Sequence, residues 1–195
     1  MADMNNLYYE GNRDLQDQFD SRRLADRVNE VIVHDRFTDE DRQLIETRDM
    51  FFISTVDAEG RPTVSYKGGA VGFIRIVDDQ TFAYPGYDGN GMFLTSGNIA
   101  ANNNVGLLFI DFENPRRLRM HGTATVDTQD PLLAEYVDAN YIIRVTVRNL
   151  FINCPRYIHR YQKLEDSEYL PKAGRTAPTP AWKTLEIVQD VLPQR

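Results

Sequence analysis

A chain of 195 residues with a single cysteine and a formal net charge of −7 has room for one large domain. One thiol excludes an intrachain disulfide and a cysteine-built zinc site, and the acid excess argues against nucleic acid as the main partner. No apolar run approaches the roughly 20 residues a membrane span needs, and the polar, acidic N-terminus lacks signal-peptide features, so a cytoplasmic protein is expected.

Residues 1–20 show no periodicity and read as an N-terminal arm. Ser21 can cap a helix carrying Leu24, Val28, Val31 and Ile32 on one face. Thr38 followed by Asp39, Glu40 and Asp41 reads as a second helix start, with Leu44 and Ile45 on its buried side. From Met50 the period changes to that of short strands, expected at about 50–56, 62–66, 71–77 and 80–84. After a Gly/Asn-rich break, Thr95 or Ser96 can cap a short helix running to about Asn103.

The apolar run Val105 to Ile110 is expected to be a strand buried on both faces. A strand over about 116–127 follows, with Gly122 as a bulge or bend. Asp130-Pro131 starts a helix with Leu132, Leu133, Tyr136 and Val137 on its apolar face. Tyr141 to Val147 returns to strand and continues near Phe151-Ile152, and Cys154 to His159 is expected to close the sheet. The fold expected is mainly β, an antiparallel barrel of six to eight strands with peripheral α-helices. It divides into an arm at 1–20, a domain at 21–165 and a Pro-rich tail at 166–195 with a short helix around Trp182–Val191.

Hydrolytic and nucleotide-fold chemistry finds no motif. His34, His121 and His159 are the three histidines and none sits in HExxH spacing; GxSxG, GxxxxGK[ST] and GxGxxG do not occur. Cys154 has no evident base beside it. A flavin mononucleotide (FMN), by contrast, needs backbone polar groups along its ring, hydroxyls and a cation for its phosphate, and room for a planar body. Val64-Ser65-Tyr66-Lys67 supplies an edge, a hydroxyl and a cation, and Gly68-Gly69 leaves space where a planar ligand comes close. Asn90, Gly91, Thr95 and Ser96 stand at or before a helix N-terminus, which favours anions. Ordinary hairpin chemistry accounts for the same residues.

The order FFISTVDAEGRPTVSYKGG, FAYPGYDGNGMFLTSGNIAANNNVGLLFIDF and RRLRMHGTATV resembles the pyridoxamine 5′-phosphate oxidase-like family of FMN-binding split barrels over about residues 45–160, and within it the branch of flavin-nucleotide-binding proteins. The resemblance implies a six-stranded antiparallel split β-barrel, and a homodimer with FMN at the subunit interface. It implies that Val64, Ser65, Tyr66 and Lys67 line the flavin, that Met92 to Ser96, with Asn90, approach the phosphate, and that Arg117 reaches the ring edge. An FMN-dependent oxidoreductase follows, acting on a small molecule and reduced by NAD(P)H or another diffusible donor, with Tyr87 and Tyr136 at the substrate mouth and no catalytic residue assigned. A non-catalytic flavin- or haem-binding module, with His121 or His159 as haem ligand, is the alternative. The chain departs from the oxidase pattern at Pro62, where the oxidases have an arginine, at Phe93-Leu94-Thr95, which carries no cation where they have Ser-Arg-Lys, and at Asn140, which stands where their arginine follows the tyrosine by four positions; their C-terminal Arg-x-His has no good counterpart, although His159-Arg160 is present.

Overall fold

The structure, a computed structural model, describes residues 7–193. Residues 1–6 of the expected arm and the last two of the tail lie outside the described residues. The chain divides into two compact units, residues 1–162 and 163–195.

The first unit begins with two helices, α1 (Glu10–Gln18) and α2 (Arg22–Ile32). The first corrects the expectation of an irregular arm. Tyr9 N–H donates to Asn12 Oδ1 at 3.0 Å, Arg13 pairs with Asp26 at 2.6 Å and Arg22 pairs with Asp17. The first bond is local to α1 and the two ion pairs tie α1 to α2; neither helix buries a residue, so the apolar face expected on α2 is not buried. Helix α3 (Asp39–Glu46) follows the expected design: Thr38 Oγ1 accepts from Asp41 N–H, Asp41 accepts from Thr38 N–H at 2.9 Å, and Leu44 and Ile45 are buried. The buried Asp41 carboxylate also meets His34 Nε2 at 2.7 Å.

Seven antiparallel strands form the sheet: β1 (Met50–Val56), β2 (Pro62–Gly68), β3 (Arg75–Ile76), β4 (Thr81–Tyr87), β5 (Asn104–Asp111), β6 (Arg116–Asp127) and β7 (Ala139–Asn153). Their order is β2-β1-β5-β6-β7-β4-β3. The seventh strand beyond the six expected is the two-residue β3. The expected strand 71–77 shrinks to it because a turn closed by Phe73 N–H on the Ala70 carbonyl takes up the residues before it.

Hydrogen bonding runs in one open series, yet the sheet curls back on itself. Phe51 on β1 lies 6.4 Å from Phe82 and 4.9 Å from Tyr84 on β4, four steps away in the order, and also meets Phe73 and Phe109. One buried core therefore joins both ends of the series, with aromatic rings closing the split that backbone bonds leave open.

Strand β5 corrects the reading of a doubly buried strand. Val105, Leu107 and Phe109 point into the core, whereas Leu108 and Ile110 are half-buried on the outer face. The bulge expected at Gly122 lies opposite it: His121 pairs with Asn149 and Gly122 with Val147, which leaves Arg148 of β7 as the extra residue, and a Cβ at Gly122 would stand 2.4 Å from the Thr146 carbonyl oxygen. Strand β7 runs unbroken, and the segment 154–159 adds no strand. The free edge of β7 pairs instead with His34, whose backbone exchanges bonds of 3.1 and 2.8 Å with Leu150.

The helix expected after Asp130 is a single 3-10 stretch, Pro131–Glu135, stopped before Asp138 at φ +57°. Asp130 caps Leu132 N–H at 2.9 Å and holds Arg144 through two bonds of 2.5 and 3.0 Å. Hydrogen bonding from Arg144, outweighing burial, keeps this carboxyl below its ordinary value of 3.8. A carboxyl depressed in the folded state stabilises above the unfolded pKa and loses that contribution as pH falls through the folded one. We expect Asp130→Asn to lower the melting temperature at neutral pH and to flatten the acid limb. Melts across the acid range measure both, and parallel wild-type and variant limbs would contradict the assignment.

Helix α4 (Leu94–Ala101) is capped by Phe93 at φ +49° rather than by Thr95 or Ser96. The second unit carries two 3-10 turns, Ala181–Thr184 and Glu186–Val191, where one short helix is expected, and Asp166 bridges Lys163 and Lys172. Among the described residues no helix is long and apolar enough to cross a membrane.

Candidate functional site

Alternation along β2 decides which residues can share a site. Ser65 and Lys67 oppose the inward-facing Ile53 and Phe51 of β1, whereas Val64 and Tyr66 oppose the outward-facing Ser54 and Phe52. Helix α4 packs its first turn over the inward pair. Ser65 Oγ and Thr95 Oγ1 are 3.0 Å apart, and Lys67 Nζ donates to Thr95 Oγ1 at 3.1 Å. Ser96, also buried, donates from Oγ to the Phe93 carbonyl at 3.2 Å. Asn98 Nδ2 bonds Thr55 Oγ1 at 3.1 Å and fastens the helix to β1.

The electrostatics of this cluster are unbalanced. Burial pushes the Lys67 ammonium below its ordinary pKa of 10.5, and no carboxylate among the described residues pairs with it. The helix start adds amides that the helix itself does not use, at the positive end of its dipole. Two hydroxyls, an uncompensated cation and a helix N-terminus together favour a bound anion.

The other candidates lie elsewhere in the chain. Val64 and Tyr66 are exposed on the outer sheet face, Tyr66 edge-on to Phe52 at 6.0 Å. Arg117 lies on the same face of β6, donates to the Cys154 carbonyl at 3.2 Å and leaves Nε without a partner. Asn90 turns its own loop by accepting from Met92 N–H at 3.1 Å, and Met92 is exposed. Tyr136 donates its hydroxyl to the Phe73 carbonyl at 3.0 Å. Burial, with Tyr136 nearby, pushes the Tyr87 hydroxyl up to about 12. His121 stands on the outer face of β6 and His159 in the exposed segment after β7. Among the described residues no group of three or more His, Cys, Asp or Glu could hold a metal.

The glycine pair is corrected. A Cβ at Gly69 would stand 2.3 Å from the Phe73 ring and one at Gly68 2.7 Å from the Tyr66 ring, so the chain's own aromatics fill the space read as open to a ligand. Asn98 escaped the sequence, having no local signal. Phe93, within the segment Met92 to Ser96, occupies a left-handed conformation that a bulky residue adopts at a cost of about 1–2 kcal/mol. Its exposed ring sits 6.3 Å from Tyr141.

The Ser65, Lys67 and Thr95 cluster thus lies between β2 and α4 of a curled antiparallel sheet. The family model described as pyridoxamine 5′-phosphate oxidase matches residues 37–151, more than half of the chain, and the chain belongs to that family. A Lactobacillus delbrueckii structure described provisionally as a pyridoxamine 5′-phosphate oxidase shares the fold at 23% identity, with 60% of this chain and 95% of that chain covered and a TM-score of 0.50. HupZ of Group A Streptococcus aligns at 25% identity over 60% of this chain and 93% of its own, with a TM-score of 0.49. HutZ of Vibrio cholerae, described as a haem storage protein, aligns at 18% identity over 60% and 94%, with a TM-score of 0.44. No curated protein matches the sequence.

Proposed function

We propose that the chain binds FMN and acts as an FMN-dependent oxidoreductase on a small molecule, working as a homodimer with FMN between the subunits. The observation that carries this reading is the half-buried Lys67 ammonium, bonded to Thr95 and lacking any carboxylate among the described residues. A phosphate monoester of about −1.5 to −2 charge is the group such a cradle suits. Lys67, Ser65 and Thr95 would hold it, with the first-turn amides of α4. When bound, FMN supplies the two-electron chemistry, and the protein contributes position and electrostatics. Lys67 and the helix dipole keep the phosphate end fixed, and buried Ser96 and Thr95 limit water there.

The dimer draws its support from the outer sheet face. Val64 and Tyr66 are exposed there beside Phe52, Leu108 and Ile110, an apolar patch of the kind that marks an interface. Arg117 lies on that face and not in the Lys67 cradle, so in this reading it serves the partner's flavin. Pyridoxamine phosphate itself is not the substrate expected, because Pro62, Leu94, Thr95 and Asn140 stand where the oxidases place cations.

The test is direct. FMN titrated into the purified protein is expected to saturate at one flavin per chain, with sedimentation reporting two chains. Anaerobic NADH or NADPH is expected to bleach the bound flavin. A protein indifferent to FMN would overturn the whole reading, and a stable flavin complex that neither donor bleaches would leave a carrier in place of an enzyme.

A further inference from the structure

Cations are not distributed evenly by type along this chain. Residues 1–162 hold sixteen arginines and one lysine, Lys67; the other three lysines, Lys163, Lys172 and Lys183, stand in the second unit. A site that asks only for fixed charge on a phosphate is served at least as well by a guanidinium, which is planar, bidentate and always charged. What an arginine cannot do is give up its proton and present a nitrogen lone pair. Lys67 is placed for that chemistry. Its Nζ bonds Thr95 Oγ1 at 3.1 Å, and Thr95 Oγ1 lies 3.0 Å from Ser65 Oγ, so two hydroxyls stand in series from the nitrogen. No carboxylate among the described residues holds the nitrogen in its charged form.

We propose that in the flavin-free chain Lys67 is a covalent capture site for a small aldehyde, which it binds as an imine. The uncharged nitrogen forms a bond to the carbonyl carbon, and the Thr95 hydroxyl, backed by Ser65, carries a proton from nitrogen to the carbonyl oxygen. The C–O bond of the resulting carbinolamine then breaks, and the oxygen leaves as water with both amine protons. One amine and one aldehyde give one imine and one water, with no oxidant or reductant. The rings of Tyr66 and Phe73 fill the space beside Gly68 and Gly69, which limits the aldehyde to a short, unbranched one. A captured aldehyde occupies the nitrogen that the flavin phosphate needs, so the two ligands exclude each other. The imine needs no flavin, and this competition alone rests on the flavin reading.

Burial pushes the Lys67 ammonium below its ordinary value, so its free amine is present at lower pH than that of an exposed lysine. The groups facing it are Thr95 of α4, Ser65 of its own strand and Phe51 opposite on β1, none of them charged. The experiment incubates the full flavin-free chain with propanal over a range of pH, traps the imine with borohydride and measures uptake at each lysine by peptide mass mapping. Lys163, Lys172 and Lys183 serve as references within the same molecule. Lys67 is expected to react roughly tenfold or more faster than any of them at neutral pH, and its pH profile to run ahead of theirs. Lys67→Arg is expected to remove the fast uptake and leave that of the references unchanged. Thr95→Val, checked by its thermal melt, is expected to slow it. Saturating FMN is expected to protect Lys67 alone.

Uptake at Lys67 no faster than at the three references, or a coincident pH profile, would overturn the site. Isobutyraldehyde reacting as fast as propanal would overturn the limit to unbranched aldehydes, and undiminished speed in a folded Thr95→Val would overturn the proton relay. Fast uptake that persists under FMN, in a chain that titration shows to bind it, would overturn the competition and leave the imine. A chain that binds no FMN yet labels fast at Lys67 would remove the flavin reading and keep the capture site.

Discussion

Lys67→Met is expected to weaken FMN binding by roughly 10- to 150-fold, the equivalent of about 1.5–3 kcal/mol for a hydrogen bond to a charged group. The same substitution is expected to raise the melting temperature of the flavin-free protein. Both follow from one fact, that the ammonium is taken partly out of water with a hydroxyl as its recorded partner. Burial lowers the folded-state pKa of this lysine, so its cost to stability is fully present below that value. The cost fades as pH rises toward 10.5. Methionine keeps the stem packed and removes the charge. Titration with FMN and paired melts of the apoproteins separate the two effects. Weaker binding with a lower melting temperature would mean that Lys67 supports the fold rather than the ligand, and unchanged binding would place the phosphate elsewhere.

Phe51→Ala is expected to cost about 3–5 kcal/mol of stability, as for other fully buried aromatic truncations, and on the order of 10 °C in melting temperature for a chain of this size. Phe51 is 0% exposed and meets four other rings, two of them across the split where no backbone bond joins the sheet. It is also the cross-strand neighbour of Lys67. Its loss is therefore expected to loosen β1 and β2 against β4 and to weaken FMN binding even in the fraction that stays folded. Urea unfolding with and without FMN tests this. A variant with lowered stability but wild-type affinity would show that β2 keeps its place without the aromatic closure. Leu107→Ala, a core truncation of β5 away from the split, serves as the control for stability loss alone.

Most strands were legible because alternation and turn residues are local. Met50 to Val56 and Arg116 to Asp127 are bounded by breaks the chain itself spells out, and Gly122 announces its bulge. The failures arise where contacts are not local. Helix α1 is held by ion pairs to α2, the edge of β7 is completed by His34 from far upstream, and the stretch before Arg75 is taken up by a turn closed from Ala70 to Phe73. The site was half legible for a reason of parity. Val64 to Lys67 cannot all face one ligand from one chain, since a strand turns successive side chains to opposite faces. The pairing of Ser65 and Lys67 with Thr95 needed the packing of α4, which no residue pattern shows.

The glycines at 68 and 69 carry a lesson for tracing descent. Their missing side chains make room for Tyr66 and Phe73, residues of the same polypeptide. A descendant that had abandoned flavin altogether would still be held to Gly69 by its own buried Phe73 ring, so that glycine in a relative is no fingerprint of cofactor use. Positions 65, 67 and 95 face no such internal demand, and divergence there is where a change of ligand would be written first.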